Sequence, residues 1–347
     1  MGEATTTGTH GATDDAHMAE AIRLAWGARL VARPNPWVGA VVVTRDGRVA
    51  TGATAAPGGP HAEVAALAAA GDARGATLYC TLEPCAHVGR TGPCADAIVA
   101  AGVARVVVGI EDPDVRVRGR GIARLREAGV EVTLGVRADE VTAQLAPYLH
   151  HRRTGRPWVV AKMAATLDGR TADAAGASRW ITGDAARRRV HALRAESDAV
   201  LVGAGTVRAD DPALTTRDAE GPSPRRVVLG AAPAGARVHP CTEWRGELEP
   251  LLDRLGGEGV LQLLVEGGAR TLGAFHSRGL VDRYVVHLAP AIMGGRDGAP
   301  LVDGDASRAM ADLWRGRLVA ATPMGDDVEI VVEPTDRRAA ESAGARA

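Results

Sequence analysis

The 347-residue chain sets 41 Lys and Arg against 42 Asp and Glu, for a formal net charge of −1, and contains only one Phe, three Tyr and six Trp. It therefore lacks both the positive field and the aromatic platforms that polynucleotide binding uses. No apolar run approaches the ~18 residues that span a bilayer, so neither a nucleic-acid partner nor a membrane anchor is expected.

The length has room for roughly two domains, each with its own core. Residues 1–13, MGEATTTGTHGAT, are small and polar and have neither the basic nor the apolar part of an export signal, so they are expected to form a disordered tail. Residues 336–347 read as a second tail. In a chain without an export signal, four cysteines point to metal binding or catalysis in a cytoplasmic protein rather than to a disulfide framework. VGAVVV (38–43), ATLYCTL (76–82) and ARVVVGI (104–110) read as buried strands. AEVAALAAAGD and CADAIVAAG between them read as helices that end at glycine. The polar stretch HHRRTGRP (150–157) breaks this rhythm and marks a boundary between domains at 14–150 and 156–335. WVVAKMAAT (158–166), DAVLVGA (198–204), RRVVLG (225–230), LQLLVEGG (261–268) and DRYVVHLAP (282–290) are the strands expected beyond it. Both halves are α/β, without an internal repeat.

The first half holds an unusual constellation. Pro60 is a favoured first-turn residue, so His61 and Glu63 are placed at a helix mouth. Cys85 ends the segment after a strand, and Cys94 opens the next helix, where amide dipoles favour a thiolate. One imidazole and two thiolates are the donors zinc prefers, with a fourth tetrahedral position left for water. Glu63 is then a carboxylate placed to shuttle protons. His-Ala-Glu followed by Pro-Cys and a second Cys is the signature of zinc-dependent nucleobase deaminases. The alternative is a closed structural site or an incidental pair of buried cysteines. A structural site wants a fourth protein ligand, and His87 is the one spare candidate nearby.

Eight residues separate Cys85 from Cys94, wider than the common two, and PCAHVGRTGPC together with PNPWVGAVV (34–42), PHAEVAAL (60–67) and EDPDVRVRGRGIARLREAGVEV (111–132) resembles one deaminase branch. The chain is similar over nearly its whole length to the bifunctional riboflavin-biosynthesis deaminase/reductase family. The resemblance implies a cytidine-deaminase-like α/β/α domain followed by a dihydrofolate-reductase-like α/β domain. It implies one Zn2+ per chain on His61, Cys85 and Cys94, Glu63 as proton shuttle, and Asn35 and Arg90 seating the sugar-phosphate part of the substrate. The chain departs from the family pattern at Arg33 and Thr54, where histidines are usual, and at Asp114, where asparagine is usual.

No G-x-G-x-x-G follows a strand in the second half, so the common dinucleotide fingerprint is missing. KMAATLDGR (162–170), SRWITG (178–183), VGAGTVRADDPALTTR (202–217) and VEGGARTLGAF (265–275) instead resemble the reductase half of the same family, which uses NADPH. That resemblance implies a cofactor site lined by Ala164, Trp180, Thr206, Asp210, Gly268, Ala269, Arg270, Thr271, Leu272, Gly273 and Ala274. It implies substrate contacts from Ser178, Arg194, Leu214, Arg217 and Glu266, with Lys162 and Asp168 as further site residues. Thr166 stands where Ser is usual and Gly230-Ala231 where a polar residue is common. The 237–261 segment is short, with CTEWRGELEP where a further strand belongs. The expected partner is a pyrimidine ribosyl phosphate, and the expected assembly a homo-oligomer. The rival readings are a related deaminase/reductase acting on another pyrimidine, a binding protein that holds zinc and NADPH without turnover, and a nucleic-acid deaminase. Substrate profiling, the intact Glu63, and the charge and aromatic content respectively separate these from the main reading.

Overall fold

The computed structural model describes residues 11–87, 92–305 and 307–335, and its contacts divide the chain between Gly155 and Arg156 into two compact units. The first unit runs α1 (Ala12–Ala32), β1 (Gly39–Val43), β2 (Val49–Ala53), α2 (Ala62–Ala70), β3 (Thr77–Leu82), α3 (Cys94–Ala100), β4 (Arg105–Ile110), α4 (Arg120–Glu127), β5 (Glu131–Leu134), α5 (Ala138–Gln144) and α6 (Ala146–Thr154). Its sheet has the order β2-β1-β3-β4-β5, with β1 antiparallel to both neighbours and β3, β4 and β5 parallel.

Two glycines fix the layering. A Cβ on Gly39 would lie 1.9 Å from the Ala21 carbonyl oxygen of α1, and one on Gly52 would lie 2.3 Å from the Ala62 carbonyl oxygen of α2. Gly39 pairs with Ala53 and Ala40 with Gly52, so the two glycines point to opposite faces of the pleat. The helices thus cover opposite faces of the sheet, and only glycine lets their backbones come so close. Trp37, Met18, Leu78 and Ile98 are among the fully buried side chains of this unit.

Two expectations need correction here. Ala12 and Thr13 were expected in a tail but form the first turn of α1, where Asp14 and Asp15 complement the helix dipole. Residues 1–10 and 336–347 lie outside the described residues. The stretch HHRRT, read as a break between domains, is the second half of α6, with Pro147, Tyr148 and Leu149 buried. Its polar residues form the outer end of the helix, where burial fades from Pro147, Tyr148 and Leu149 to the exposed Arg153 and Thr154, and the connection is only the Gly155 C-cap (φ 74) and the residues after it.

The second unit runs β6 (Trp158–Thr166), β7 (Arg170–Ala172), α7 (Asp184–Ala195), β8 (Ala199–Gly203), α8 (Ala204–Asp210), β9 (Arg225–Leu229), β10 (Thr242–Trp244), α9 (Leu248–Gly257), β11 (Gln262–Val265), α10 (Ala269–Ser277), β12 (Arg283–Ala289), β13 (Ala299–Pro300), β14 (Gly316–Met324) and β15 (Asp327–Pro334). The main sheet has the order β10-β9-β8-β11-β6-β12-β15-β14, parallel as far as β12 and antiparallel beyond it. A core of Val159, Ala161, Leu201, Leu251, Leu255 and Phe275 packs helices against one face. Burial on both faces explains why β6, β8 and β11 are continuous apolar runs. The missing strand of the 237–261 segment exists as the short β10, parallel to β9.

Candidate active sites

In the first unit β3 delivers Glu83, Pro84 and Cys85 to the mouth of a cavity of about 240 Å³. α2 opens directly after its N-cap His61, and α3 opens at Cys94. The His61 Nδ1 lies 3.2 Å from the Cys94 Sγ and 3.7 Å from the Cys85 Sγ, and all three donor atoms fall within 4.8 Å of one another. A tetrahedral zinc with bonds of about 2.0–2.3 Å holds its ligand atoms roughly 3.3–3.8 Å apart, close to the spacing of the imidazole from the two sulfurs, so the donor set suits the ion. His87 lines the cavity but does not join this cluster, which is the one such group among the described residues. Three protein donors leave a position open to the cavity, as in catalytic rather than structural zinc sites.

The acid-base properties follow from burial and proximity. The Cys94 thiol beside it, with the His61 ring, brings the Cys85 thiol down to about 4, while that same neighbour and burial push Cys94 up. Glu63 sits in the first turn of α2, 4% exposed, and burial raises its carboxyl to about 7. A carboxyl near neutrality both takes and gives a proton at working pH.

Asn35 and Thr54 line the cavity, as the sequence implied for Asn35. Thr54 is buried and bonds the Val38 backbone, its Oγ1 accepting from the N–H at 2.9 Å, so it joins β2 to the approach of β1. Arg33 caps the end of α1 and is not part of the cavity lining; Arg90 lies outside the described residues.

Sequence reading passed over the far wall. Glu83 is 3% exposed, and its Oε2 accepts from the backbone N–H of Asp112 (3.2 Å) and Gly119 (3.0 Å) while its Oε1 accepts from Gly121 (2.9 Å) and Ile122 (3.1 Å). Burial outweighs these bonds and raises its carboxyl above the usual range. Gly121 has to be glycine, because a Cβ there would lie 1.8 Å from the Pro84 carbonyl oxygen. The clamp holds residues 112–122 across the end of β3. Asp112 accepts from the Tyr148 hydroxyl at 3.1 and 3.2 Å, and burial lifts it to about 6. Asp114 is gripped by Arg116, which brings it down to about 2.

In the second unit the chemistry gathers at the carboxyl ends of the parallel strands, where open α/β sheets place ligands. Glu266 follows β11 and receives Arg194 of α7 as a two-bond fork, Nε and Nη2 each donating at 2.7 Å. Lys162 of β6 shares this environment: burial lowers its pKa while Glu266 resists. Arg194 Nη1 also donates to the Thr215 carbonyl at 3.2 Å, and the Arg217 N–H reaches His191 Nδ1 at 3.3 Å, so Arg194, Arg217 and Glu266 are brought together. Leu214 lies in the same segment with φ 52 and is buried.

Of the predicted cofactor residues, Thr206, Gly268 and Ala269 lie at two neighbouring helix openings, whereas Leu272 is buried in the core, Gly273 packs against the Asp303 backbone and Asp210 ends α8. Gly268 caps α10, and a Cβ built on it would lie 3.5 Å from the Thr206 Oγ1 of α8. A Cβ on Gly267 would meet the Thr271 Cβ at 2.4 Å, so the backbone turns tightly into α10. Paired helix N-termini approached by bare backbone suit a pyrophosphate, so the site fits a dinucleotide. Asp210 receives Arg179, whose Nη2 donates to its carbonyl at 2.5 Å, and Trp180, 71% exposed, stacks under the Arg187 guanidinium at 4.6 Å. Ala164 on β6 pairs in register with His287. The Arg270 side chain is 95% exposed, with Asp303 3.6 Å from its Nε, and Ser178 lies between β7 and α7, next to the Arg179 that reaches Asp210. Asp168 accepts from Thr166 Oγ1 and from the N–H groups of Met293 and Gly294, which makes it a turn clamp.

Comparison with known proteins agrees with this division. Residues 12–110 match the family described as cytidine and deoxycytidylate deaminase zinc-binding region, and residues 157–330 match the RibD C-terminal domain. The chain is 39% identical to the riboflavin biosynthesis protein RibD of Chlamydia muridarum, with 92% of this chain and 96% of that protein covered. It is 38% identical to its Escherichia coli counterpart, with 91% and 98% covered. Among solved structures, Acinetobacter baumannii RibD superposes with a TM-score of 0.87 at 37% identity, with 93% of this chain and 99% of that one covered. A Thermotoga maritima diaminohydroxyphosphoribosylaminopyrimidine deaminase/5-amino-6-(5-phosphoribosylamino)uracil reductase superposes with a TM-score of 0.85 at 34% identity, with 92% and 98% covered.

Proposed function

The chain belongs to the bifunctional riboflavin-biosynthesis deaminase/reductase family, and on that premise we propose which residues carry its two reactions. It is a zinc-dependent deaminase and an NADPH-dependent reductase. A diaminopyrimidinone ribosyl phosphate loses an amino group to water, and the ribosyl chain is then reduced to ribityl. The observation that carries the deaminase assignment is the His61, Cys85 and Cys94 cluster with buried Glu63 two positions along the same helix mouth.

His61, Cys85 and Cys94 would hold the zinc, which when bound would supply a Lewis acid that brings the pKa of water towards about 7. Glu63 does the proton work. Its carboxylate takes a proton as water adds to the amino-bearing ring carbon and passes it to the ring nitrogen. It then transfers the second water proton to the amine, which leaves as ammonia while the carbonyl forms. Asn35, with Arg90, orients the ring and its sugar phosphate, and Thr54 shapes the wall between them.

In the second unit bound NADPH would supply the hydride for reduction of the ribosyl chain. Gly268 to Ala274 and Thr206 receive the dinucleotide at the two helix mouths, with Ala164, Trp180 and Asp210 completing that site. Glu266 and Arg194 bind the ribosyl phosphate from the strand ends, with Ser178, Leu214 and Arg217 beside them. Glu266 keeps Arg194 and Lys162 oriented, because a buried guanidinium or ammonium without a counterion is costly.

We further propose a homo-oligomer. Edge strand β14 leaves Leu318 60% and Val319 41% exposed, an apolar edge that a second copy would cover. Light scattering on the purified chain tests this. Among the described residues no helix is long and apolar enough to cross a membrane. The function itself is tested by supplying the diaminopyrimidinone ribosyl phosphate with and without NADPH, following ammonia release and cofactor oxidation separately. Ammonia is expected in both cases and oxidation only after deamination; absence of both overturns the assignment.

A further inference from the structure

We propose that Arg116, with Arg152 behind it, is a phosphate-recognition device of the deaminase pocket and makes that pocket select the phosphorylated substrate. The inference rests on the deaminase reading above. Four carboxyl groups line the cavity, Glu63, Glu83, Asp112 and Asp114, and a dianionic phosphate entering beside them would be repelled. Two of the four are already committed: Glu83 accepts four backbone N–H groups, and Asp112 accepts the Tyr148 hydroxyl.

The only described lining residues with a permanent positive charge are Arg116 and Arg152, and both converge on Asp114. Arg116 reaches it through Nε (3.0 Å) and Nη2 (2.7 Å) and also through its own backbone N–H (3.0 Å). Arg152 Nε stands 3.6 Å from the same carboxylate while its guanidinium lies over the Tyr148 ring at 5.0 Å. The Arg116, Arg152 and Asp114 group by itself carries one net positive charge, a local counterweight to the other carboxyl groups of the cavity. Asp114 is 7% exposed, whereas the Arg116 side chain is 65% exposed, so the acid is buried while the guanidinium that it holds by Nε and Nη2 remains largely accessible. A guanidinium held by a buried carboxylate has lost rotamer freedom beforehand, which favours capture of a phosphate by its remaining N–H groups. The Glu83 clamp fixes the loop that carries it.

The test is the full-length zinc-loaded protein, assayed for ammonia release on the ribosyl phosphate substrate and on the same compound after phosphatase treatment. For Arg116→Ala the ratio of kcat/KM for phosphorylated over dephosphorylated substrate is expected to fall about tenfold or more, mainly through KM, the size of one charge-assisted phosphate contact. Arg116→Lys should recover part of it, since charge remains and the fork is lost. Inorganic phosphate should inhibit the wild type competitively and Arg116→Ala more weakly. Zinc content and an unchanged thermal melt of the same sample report that the variant's first unit is folded. An unchanged ratio, or equal losses on both substrates, would overturn the proposal, as would an unchanged ratio in Arg116→Ala beside a reduced one in Arg90→Ala. Failure of the wild type to release ammonia from either substrate would instead overturn the deaminase reading.

Discussion

Replacing Glu83 by Gln tests whether one carboxylate holds the far wall of the deaminase cavity. The isosteric amide keeps one oxygen, which satisfies one pair of backbone donors, either Gly121 and Ile122 or Asp112 and Gly119. The other pair then faces an NH2 group. Two buried donors left without acceptors cost about 1–3 kcal/mol each. Part of this is offset because burying an amide costs less than burying a carboxylate. The net is roughly 1–4 kcal/mol, a sizeable share of the 5–15 kcal/mol typical of a whole domain. Because the stranded amides sit in one loop, that cost falls first on local opening. Hydrogen exchange resolved to residues 112–122 should show those amides exchanging about 10- to 1,000-fold faster, with the strands of the same unit far less affected. Deaminase KM should rise with it while zinc stays bound. Wild-type protection across 112–122 in the folded variant would refute the clamp.

Four further outcomes are expected. Metal analysis should find one zinc per chain in protein purified without chelator, and Cys85→Ser should lose it along with ammonia release. Glu63→Gln should keep zinc and fold but lower deamination about 10²- to 10⁴-fold, the range of a general acid-base group; activity within tenfold of wild type would count against the shuttle. Glu266→Gln should cost the reductase about one to two decades in kcat/KM while leaving ammonia release intact; loss of both activities in a folded variant would point to one composite site. Asp114 has its folded-state pKa held at about 2 by Arg116, below its ordinary 3.8. It therefore stabilises the fold above pH ~4 and ceases to as pH falls to ~2. Asp114→Asn should melt lower than wild type at pH 6, with the gap closing by pH 2; a constant gap would mean that the ion pair is not the cause.

What could be read from the sequence depended on how far apart the partners lie. His61, Glu63, Cys85 and Cys94 each announce themselves locally, through Pro-His-Ala-Glu and Pro-Cys at helix openings, and three elements bring them together. Glu83 carries no such signal: its four donors lie 29 to 39 residues away, on a loop whose path only the fold decides. The Arg194 and Glu266 fork spans 72 residues, so the sequence offered two candidate substrate contacts but not that they hold each other. The continuous apolar strands were legible because both their faces are buried. β2 (VATGA) was not, since its small residues accommodate α2 rather than form a hydrophobic stripe. β14 was hidden for a different reason: it is an edge strand with most of its side chains exposed. HHRRT misled because the exposed, polar end of a helix looks like a linker when the buried Tyr148 and Leu149 before it are not counted with it.

The position of β11 has a consequence for how the second unit is made. It lies between β8 and β6 in the sheet, although it is built from Gln262–Val265, long after both neighbours. During synthesis β6 and β8 emerge with the strand between them missing, each showing an open backbone edge on the side that β11 later fills. The parallel core closes only when that segment leaves the ribosome, so chains stalled or cut before it are expected to hold chaperones and to aggregate. The first unit has all five of its strands by Leu134 and folds without waiting. A nested set of truncations, each assayed for protease resistance, should therefore show the amino-terminal unit protected early and the remainder protected abruptly, once the chain extends beyond Val265 and α10.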